Sequence, residues 1–194
     1  DEAANNGNRI EQNSTHANLK KTDALNTANR KNYYIGEKGP GGGYIFFDRG
    51  SNSKGWRYLE AAPTDIKMKV RWYRNRLSRY ITLQTAIGTG KENTRKIIIS
   101  YGSGSYAAKL CANYSNNGKR DWFLPSKDEL VKIHKNLRPF SSYGFKLNGY
   151  WSSSEDNTEG IPGIVWYQMF WEPQEFCGVE DGSMKLNVRP IRAF

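Results

Sequence analysis

Ser126-Lys127-Asp128-Glu129 constrains this chain more than any other stretch. It has the form of a capping box, in which a serine accepts from the amide three residues on while that residue's carboxylate reaches back, so a helix must begin there. Leu130, Ile133, His134 and Leu137 then recur at helical spacing and leave one apolar face to bury. Segments with the aromatic and β-branched content of strands lie on both sides of this helix. They are 44–48, which follows the turn-forming run Gly39-Pro40-Gly41-Gly42-Gly43, then 56–61, and beyond Pro139 the stretches 150–154, 164–170 and 185–194. Strands at both ends with helices between them predict an α+β domain. Pro190 falls inside the last stretch and places it at a sheet edge or a bulge, because proline has no N–H for the ladder.

Asn93 or Thr94 is the expected cap of a helix through Ile97, Ile98 and Tyr101, and helical spacing resumes over 106–114 at Ala107, Leu110, Cys111 and Tyr114. Gly102-Ser103-Gly104 separates the two. The chain has 194 residues, and its 6 Trp, 12 Tyr and 8 Phe must supply much of the buried area of one core. Residues 1–32 are rich in Asn, Thr and Ala, with Ile10, Leu19 and Leu25 as their large aliphatics. They bury too little to offset ordering and read as a polar tether or a weak helix, leaving 33–194 as the folded domain. No apolar run approaches the roughly 20 residues of a bilayer-spanning helix, so a membrane association would run through that tether alone.

The net charge is +10, and the cations concentrate between residues 33 and 137 while 138–194 is net acidic. That asymmetry favours polyanionic partners. Its densest part, 67–80, interleaves Lys67, Lys69, Arg71, Arg74, Arg76 and Arg79 with Trp72, Tyr73 and Tyr80. Guanidinium forks match sulfate or phosphate oxygens, and Trp72 and Tyr73 offer faces on which a sugar ring can stack. The alternative is a solvated loop whose cations pair with acidic groups around Glu155 and Asp181. A second candidate surface follows the strand 164–170, where Trp171, Glu172, Gln174 and Phe176 sit in an expected loop over 171–182.

Catalytic signals are sparse. His16 lies in the tether and His134 on a helix face, so there is no histidine pair for a metal and no Ser-His-Asp set. Cys111 and Cys177 form either one bridge or two free thiols. Ser152-Ser153-Ser154-Glu155-Asp156 lacks the spaced ligands of a calcium loop, and the glycine run precedes a strand where a phosphate loop would follow one. No metal, no cofactor and no catalysis are expected.

Eight segments carry a resemblance across about residues 34–194. They are Gly39-Pro-Gly-Gly-Gly-Tyr-Ile-Phe-Phe-Asp48, Gly55-Trp-Arg-Tyr-Leu-Glu-Ala-Ala-Pro63, Thr85-Ala-Ile-Gly-Thr-Gly-Lys91, Ala107-Ala-Lys-Leu-Cys111, Asp121-Trp-Phe-Leu-Pro-Ser-Lys-Asp-Glu-Leu130, Tyr150-Trp-Ser-Ser-Ser-Glu155, Trp166-Tyr-Gln168 and Val188-Arg-Pro-Ile-Arg-Ala-Phe194. Together they resemble the C-terminal domain family of the Legionella collagen-like adhesin, with similar domains in spirochaete surface proteins and putative lipoproteins. The resemblance implies a C-type-lectin-like fold with two main helices and one mixed, mostly antiparallel sheet in which first and last strands pair. It also implies an extracellular or bacterial cell-surface location, with adhesion or ligand binding as the activity. The expected partner is a polyanionic glycan rather than nucleic acid. The alternative is a host or partner surface protein, bound by a recognition scaffold of the variable, diversity-generating kind through the C-terminal loop and strand surface. Glu172-Pro173-Gln174 only echoes the calcium-binding loop of lectins with this fold.

Overall fold

The computed structural model describes residues 31–66, 68–75, 80–158, 160–171 and 175–194. The expected tether therefore lies almost wholly outside the described residues. Residues Tyr33–Phe194 form one compact unit. In chain order it holds β1 (Tyr44–Asp48), β2 (Tyr58–Ala61), α1 (Gly90–Tyr101), α2 (Ala107–Ala112), α3 (Lys127–Asn136), a 3-10 turn (Phe140–Tyr143), β3 (Gly149–Glu155), β4 (Ile164–Phe170), β5 (Glu175–Asp181) and β6 (Ile191–Ala193). The class is α+β. The strands form two antiparallel three-stranded sheets, ordered β1-β2-β6 and β3-β4-β5. No helix among the described residues is long and apolar enough to cross a membrane.

Two expectations are corrected here. One mixed sheet with paired first and last strands becomes two sheets in which β2 separates β1 from β6. The reason is that both edges of β1 are already occupied. One pairs with β2, and the other exchanges hydrogen bonds with the preceding turn, Gly36 N to Ile45 O at 2.8 Å and Ile45 N to Glu37 O at 2.9 Å. The second correction is the 171–182 loop, most of which is β5, paired residue for residue with β4 from Ile164↔Asp181 to Phe170↔Glu175. The helical spacing expected over 106–114 is present as α2, a six-residue element beside the two longer helices. Pro190 precedes β6, outside the ladder, and its carbonyl accepts from Ala62 N at 2.8 Å.

The capping box of α3 forms as its sequence requires, with Ser126 Oγ accepting from Glu129 N and Glu129 Oε2 accepting from Ser126 N at 2.7 Å. Glu129 Oε1 also accepts from Gly88 N at 2.8 Å, so one buried carboxylate serves the starts of two helices. This explains why α1 begins at Gly90, ahead of the expected cap. Asn93 and Thr94 lie inside the helix and spend their side chains on neighbouring loops, Asn93 on both polar backbone groups of Gln84 and Thr94 on the backbone of Leu124.

Aromatic rings dominate both halves of the core. Trp72, Tyr106 and Trp151 pack with Ile97, Cys111 and Leu124 in one half, and Phe46, Phe140, Tyr150 and Phe170 with Leu130 and Ile133 in the other. The glycine run is a cradle for a carboxylate. Gly41 N and Gly43 N donate to the two oxygens of buried Glu60 at 2.9 and 3.1 Å, and a Cβ at Gly39 or Gly41 would collide with that group. Arg192 completes the site, giving Nη1 to Glu60 at 2.6 Å and Nε to Asp121 at 2.8 Å. Arg189 is fully buried, bonded to Asp65 at 2.6 Å and to the carbonyls of Ala62, Tyr143 and Gly144. Both arginines of the C-terminal segment therefore act in the core, where a charge must be paired and hydrogen-bonded to be tolerated.

Candidate ligand-binding surface

Residues 69–72 of the basic segment become a surface through alternation. Successive side chains of an extended chain point to opposite sides. Lys69, Arg71 and Arg74 are exposed, while Val70, Trp72 and Tyr73 are buried. Val70 exchanges both backbone hydrogen bonds with Leu186, at 2.9 and 3.1 Å, and Trp72 N donates to Gly182 O at 2.9 Å. In that antiparallel register Lys185 stands across from Arg71, on the outward side. Directly opposed residues lie roughly 4.5–5.5 Å apart and strand neighbours of one face roughly 7 Å apart. By that register Lys69, Arg71 and Lys185 share the outward side of the short ladder, and none of them makes an ion pair with another described residue.

The stacking role expected of Trp72 and Tyr73 is corrected. Trp72 has no exposed surface and its Nε1 donates to Ser152 O at 2.7 Å. Tyr73 is 6% exposed, its hydroxyl donates to Asp181 Oδ1 at 2.8 Å, and Gly182 sits against its ring. They are the anchors that hold the cationic residues at the surface. The far end of the segment is pinned as well, since Glu155 accepts from Ile81 N at 3.0 Å and from Gly163 N at 2.5 Å. Burial pushes the Glu155 carboxyl above its ordinary range against the pull of those two amides. Glu155 therefore serves the backbone of these loops, and Asp181 holds the Tyr73 hydroxyl and the Ser183 amide. Arg74 gives Nη1 to Ser103 O at 3.3 Å and lies along Gly104, so it steadies the break between α1 and α2.

Lys67, Arg76 and Arg79 of the first candidate surface, and Glu172 and Gln174 of the second, lie outside the described residues. So does the side chain of Phe176, whose backbone is in β5. Trp171 is 42% exposed just past β4. On the same sheet Trp166 faces Val179, which is 39% exposed, and Lys127 Nζ lies 3.7 Å over the Trp166 ring. Lys185 was missed in the sequence because nothing local marks it. Its place depends on a pairing between residues more than a hundred positions apart.

His134 and Cys111 are sealed in the core. His134 lies between Phe140 and Phe170 with no exposed surface, and burial drives the Cys111 thiol well above its usual range. Cys111 and Cys177 are both free thiols. Among the described residues no three His, Cys, Asp or Glu side chains converge as metal ligands. No protein-family model matches the chain, and no curated protein matches it.

Proposed function

We propose that this chain is a C-type-lectin-like binding domain displayed on an extracellular or bacterial cell surface, that it is not an enzyme, and that it recognises a polyanionic glycan through Lys69, Arg71 and Lys185. The observation that carries the reading is the presence of three exposed cations on one outward side without counter-ions among the described residues, in a fold whose described buried arginines are paired. Unpaired surface cations backed by rigid anchors are ready to accept sulfate or carboxylate oxygens without first breaking an internal contact. The resemblance of residues 34–194 to exported surface domains favours a glycan over nucleic acid.

The test is binding to heparin-like chains and to a desulfated control, at low and at physiological salt. The expected result is sulfate-dependent binding that weakens with salt, and a roughly tenfold or greater loss in the triple variant K69S/R71S/K185S. Unchanged binding by that variant overturns the assignment.

A second reading, a protein-recognition scaffold, draws on Trp171 and Val179, which offer exposed apolar surface at the β4–β5 side of the domain. Binding through them would tolerate salt and fall with Trp171→Ala.

A further inference from the structure

Among the described residues, the outer strands of the two sheets are covered at every edge but that of β5. The outer side of β1 bonds to the turn at Gly36 and Glu37, that of β6 exchanges two hydrogen bonds with Phe123, and that of β3 meets Asn187. β5 ends the β3-β4-β5 sheet with no described strand beyond it. It is seven residues long, pairs with β4 without a bulge, and contains neither proline nor lysine, devices that commonly keep an edge from accepting another strand.

The direction of its backbone groups follows from bonds on both sides of β4. Gly182 N donates to Gly163 O at 2.9 Å, which makes 163 and 182 a hydrogen-bonded pair. Such pairs alternate in an antiparallel ladder, so 165–180, 167–178 and 169–176 bond across, and residues 175, 177 and 179 turn their N–H and C=O groups away from β4. On the β3 side, Phe170 N donates to Asn148 O at 2.9 Å and Asp156 N to Ile164 O at 2.7 Å, so the even-numbered residues of β4 face β3 and the odd-numbered ones face β5, in the same phase. At Asp181 the edge closes on itself, since its N–H meets Glu180 Oε1 at 3.1 Å and its carbonyl accepts from Met184 N at 3.0 Å. The outward stretch is therefore 175–179, where Val179 is 39% exposed.

Charge selects the occupant. Between Trp171 and Gly182 the chain holds Glu172, Glu175, Glu180 and Asp181 and no cation. A second copy of β5 in the fully overlapped antiparallel register would set these acids against each other. Like charges directly opposed on paired strands are destabilising, whereas lysine or arginine in those places is favourable. Val179 stands across from Trp166, so an apolar side chain of the incoming strand also has a surface to cover.

We infer that β5 accepts an extended basic segment of a partner protein as a fourth strand of its sheet, with main-chain hydrogen bonds to 175–179 supplying affinity and the acids of 172–181 supplying selectivity. The inference rests on the second, protein-recognition reading and names its mode and partner chemistry. It is independent of glycan binding.

The probe is an acetylated octapeptide alternating lysine and valine, titrated calorimetrically into the whole chain. Its controls are the glutamate-valine counterpart and a lysine-valine peptide N-methylated at every amide, which keeps the charge but cannot donate to a ladder. The unmodified basic peptide is expected to bind at least roughly tenfold more tightly than either control. Val179→Pro removes an outward N–H and spares the bonds to β4, so the variant should fold, as near-ultraviolet circular dichroism checks, and should lose roughly tenfold in affinity for the basic peptide. No binding of the basic peptide, or equal binding of the glutamate-valine peptide, overturns the inference. Binding that falls with Trp171→Ala but ignores both N-methylation and Val179→Pro overturns strand addition and leaves the protein-recognition reading standing. A concentration-dependent dimer of the chain that Val179→Pro abolishes would make a second copy the occupant and overturn the basic partner.

Discussion

Lys69 and Trp72 are three positions apart in one basic, aromatic segment, yet they do opposite work. Lys69 reaches solvent without an ion pair among the described residues, whereas Trp72 fills the core and satisfies Ser152 O with its indole N–H. Their variants should separate accordingly. Trp72→Phe keeps most of the ring but leaves a buried carbonyl without its donor, and is expected to cost about 1–3 kcal/mol in a urea unfolding series. Lys69→Ser is expected to change stability by less than about 0.5 kcal/mol while weakening glycan binding. If Trp72→Phe proved neutral in stability, the anchoring role assigned to that ring would be wrong. The buried arginines follow the same logic in a stricter form. Asp65→Asn leaves the fully buried Arg189 guanidinium without its ion partner, which should cost about 3–5 kcal/mol, read as a fall in the urea midpoint.

Among the elements, α1 and α3 are coupled at their first turns by Glu129. Burial raises its carboxyl to about 7, while the amides of Ser126, Gly88 and Gly90 act to lower it. Because the folded value lies above the ordinary 4.5, the fold favours the neutral acid. The stabilising contribution is full below about pH 4.5, declines as pH rises towards 7, and changes little above it. The span is on the order of 3 kcal/mol. Urea midpoints measured from pH 4 to 8 should show this decline, and Glu129→Gln should remove it. The same variant should be less stable than wild type at acid pH, because an amide NH2 cannot accept from the backbone donors that hold both carboxylate oxygens. A pH profile identical in wild type and Glu129→Gln would mean that another group governs this window.

Across the whole domain, the last extended stretch joins the parts. From Leu186 to Phe194 the chain bonds in turn to Val70, to Gly149 and Trp151 of β3, to Ile66, to Ala62, to Phe123 and finally to Tyr58 at the start of β2. It touches both sheets and supplies both buried arginines. Removing residues 191–194 would strip β6 from β2 and leave Glu60 buried without Arg192. Such a truncation is expected to lose the cooperative thermal transition in near-ultraviolet circular dichroism, rather than to lower its midpoint slightly. Retention of a sharp transition would show that the two sheets are stable without this strand.

What the sequence determined by itself is local. The capping box, the 3.6-residue face of Leu130, Ile133, His134 and Leu137, and the strands at Tyr44–Asp48 and Ile164–Phe170 are signalled by local pattern and propensity, and all of them are present in the fold. The tertiary structure decided whatever depends on a distant partner. β5 looked like a loop because Gly178 and its acidic neighbours have low strand propensity, and seven residues of pairing with β4 outweigh that preference. Asn93 and Thr94 looked like caps, yet Glu129 caps α1 from another helix and frees them to bond elsewhere. The candidate site divides along the same line. Lys69 and Arg71 were legible as cations, but which aromatics would be buried and which cation would join them depended on a ladder closed by Leu186, and one residue of register would have turned every side chain of that ladder over.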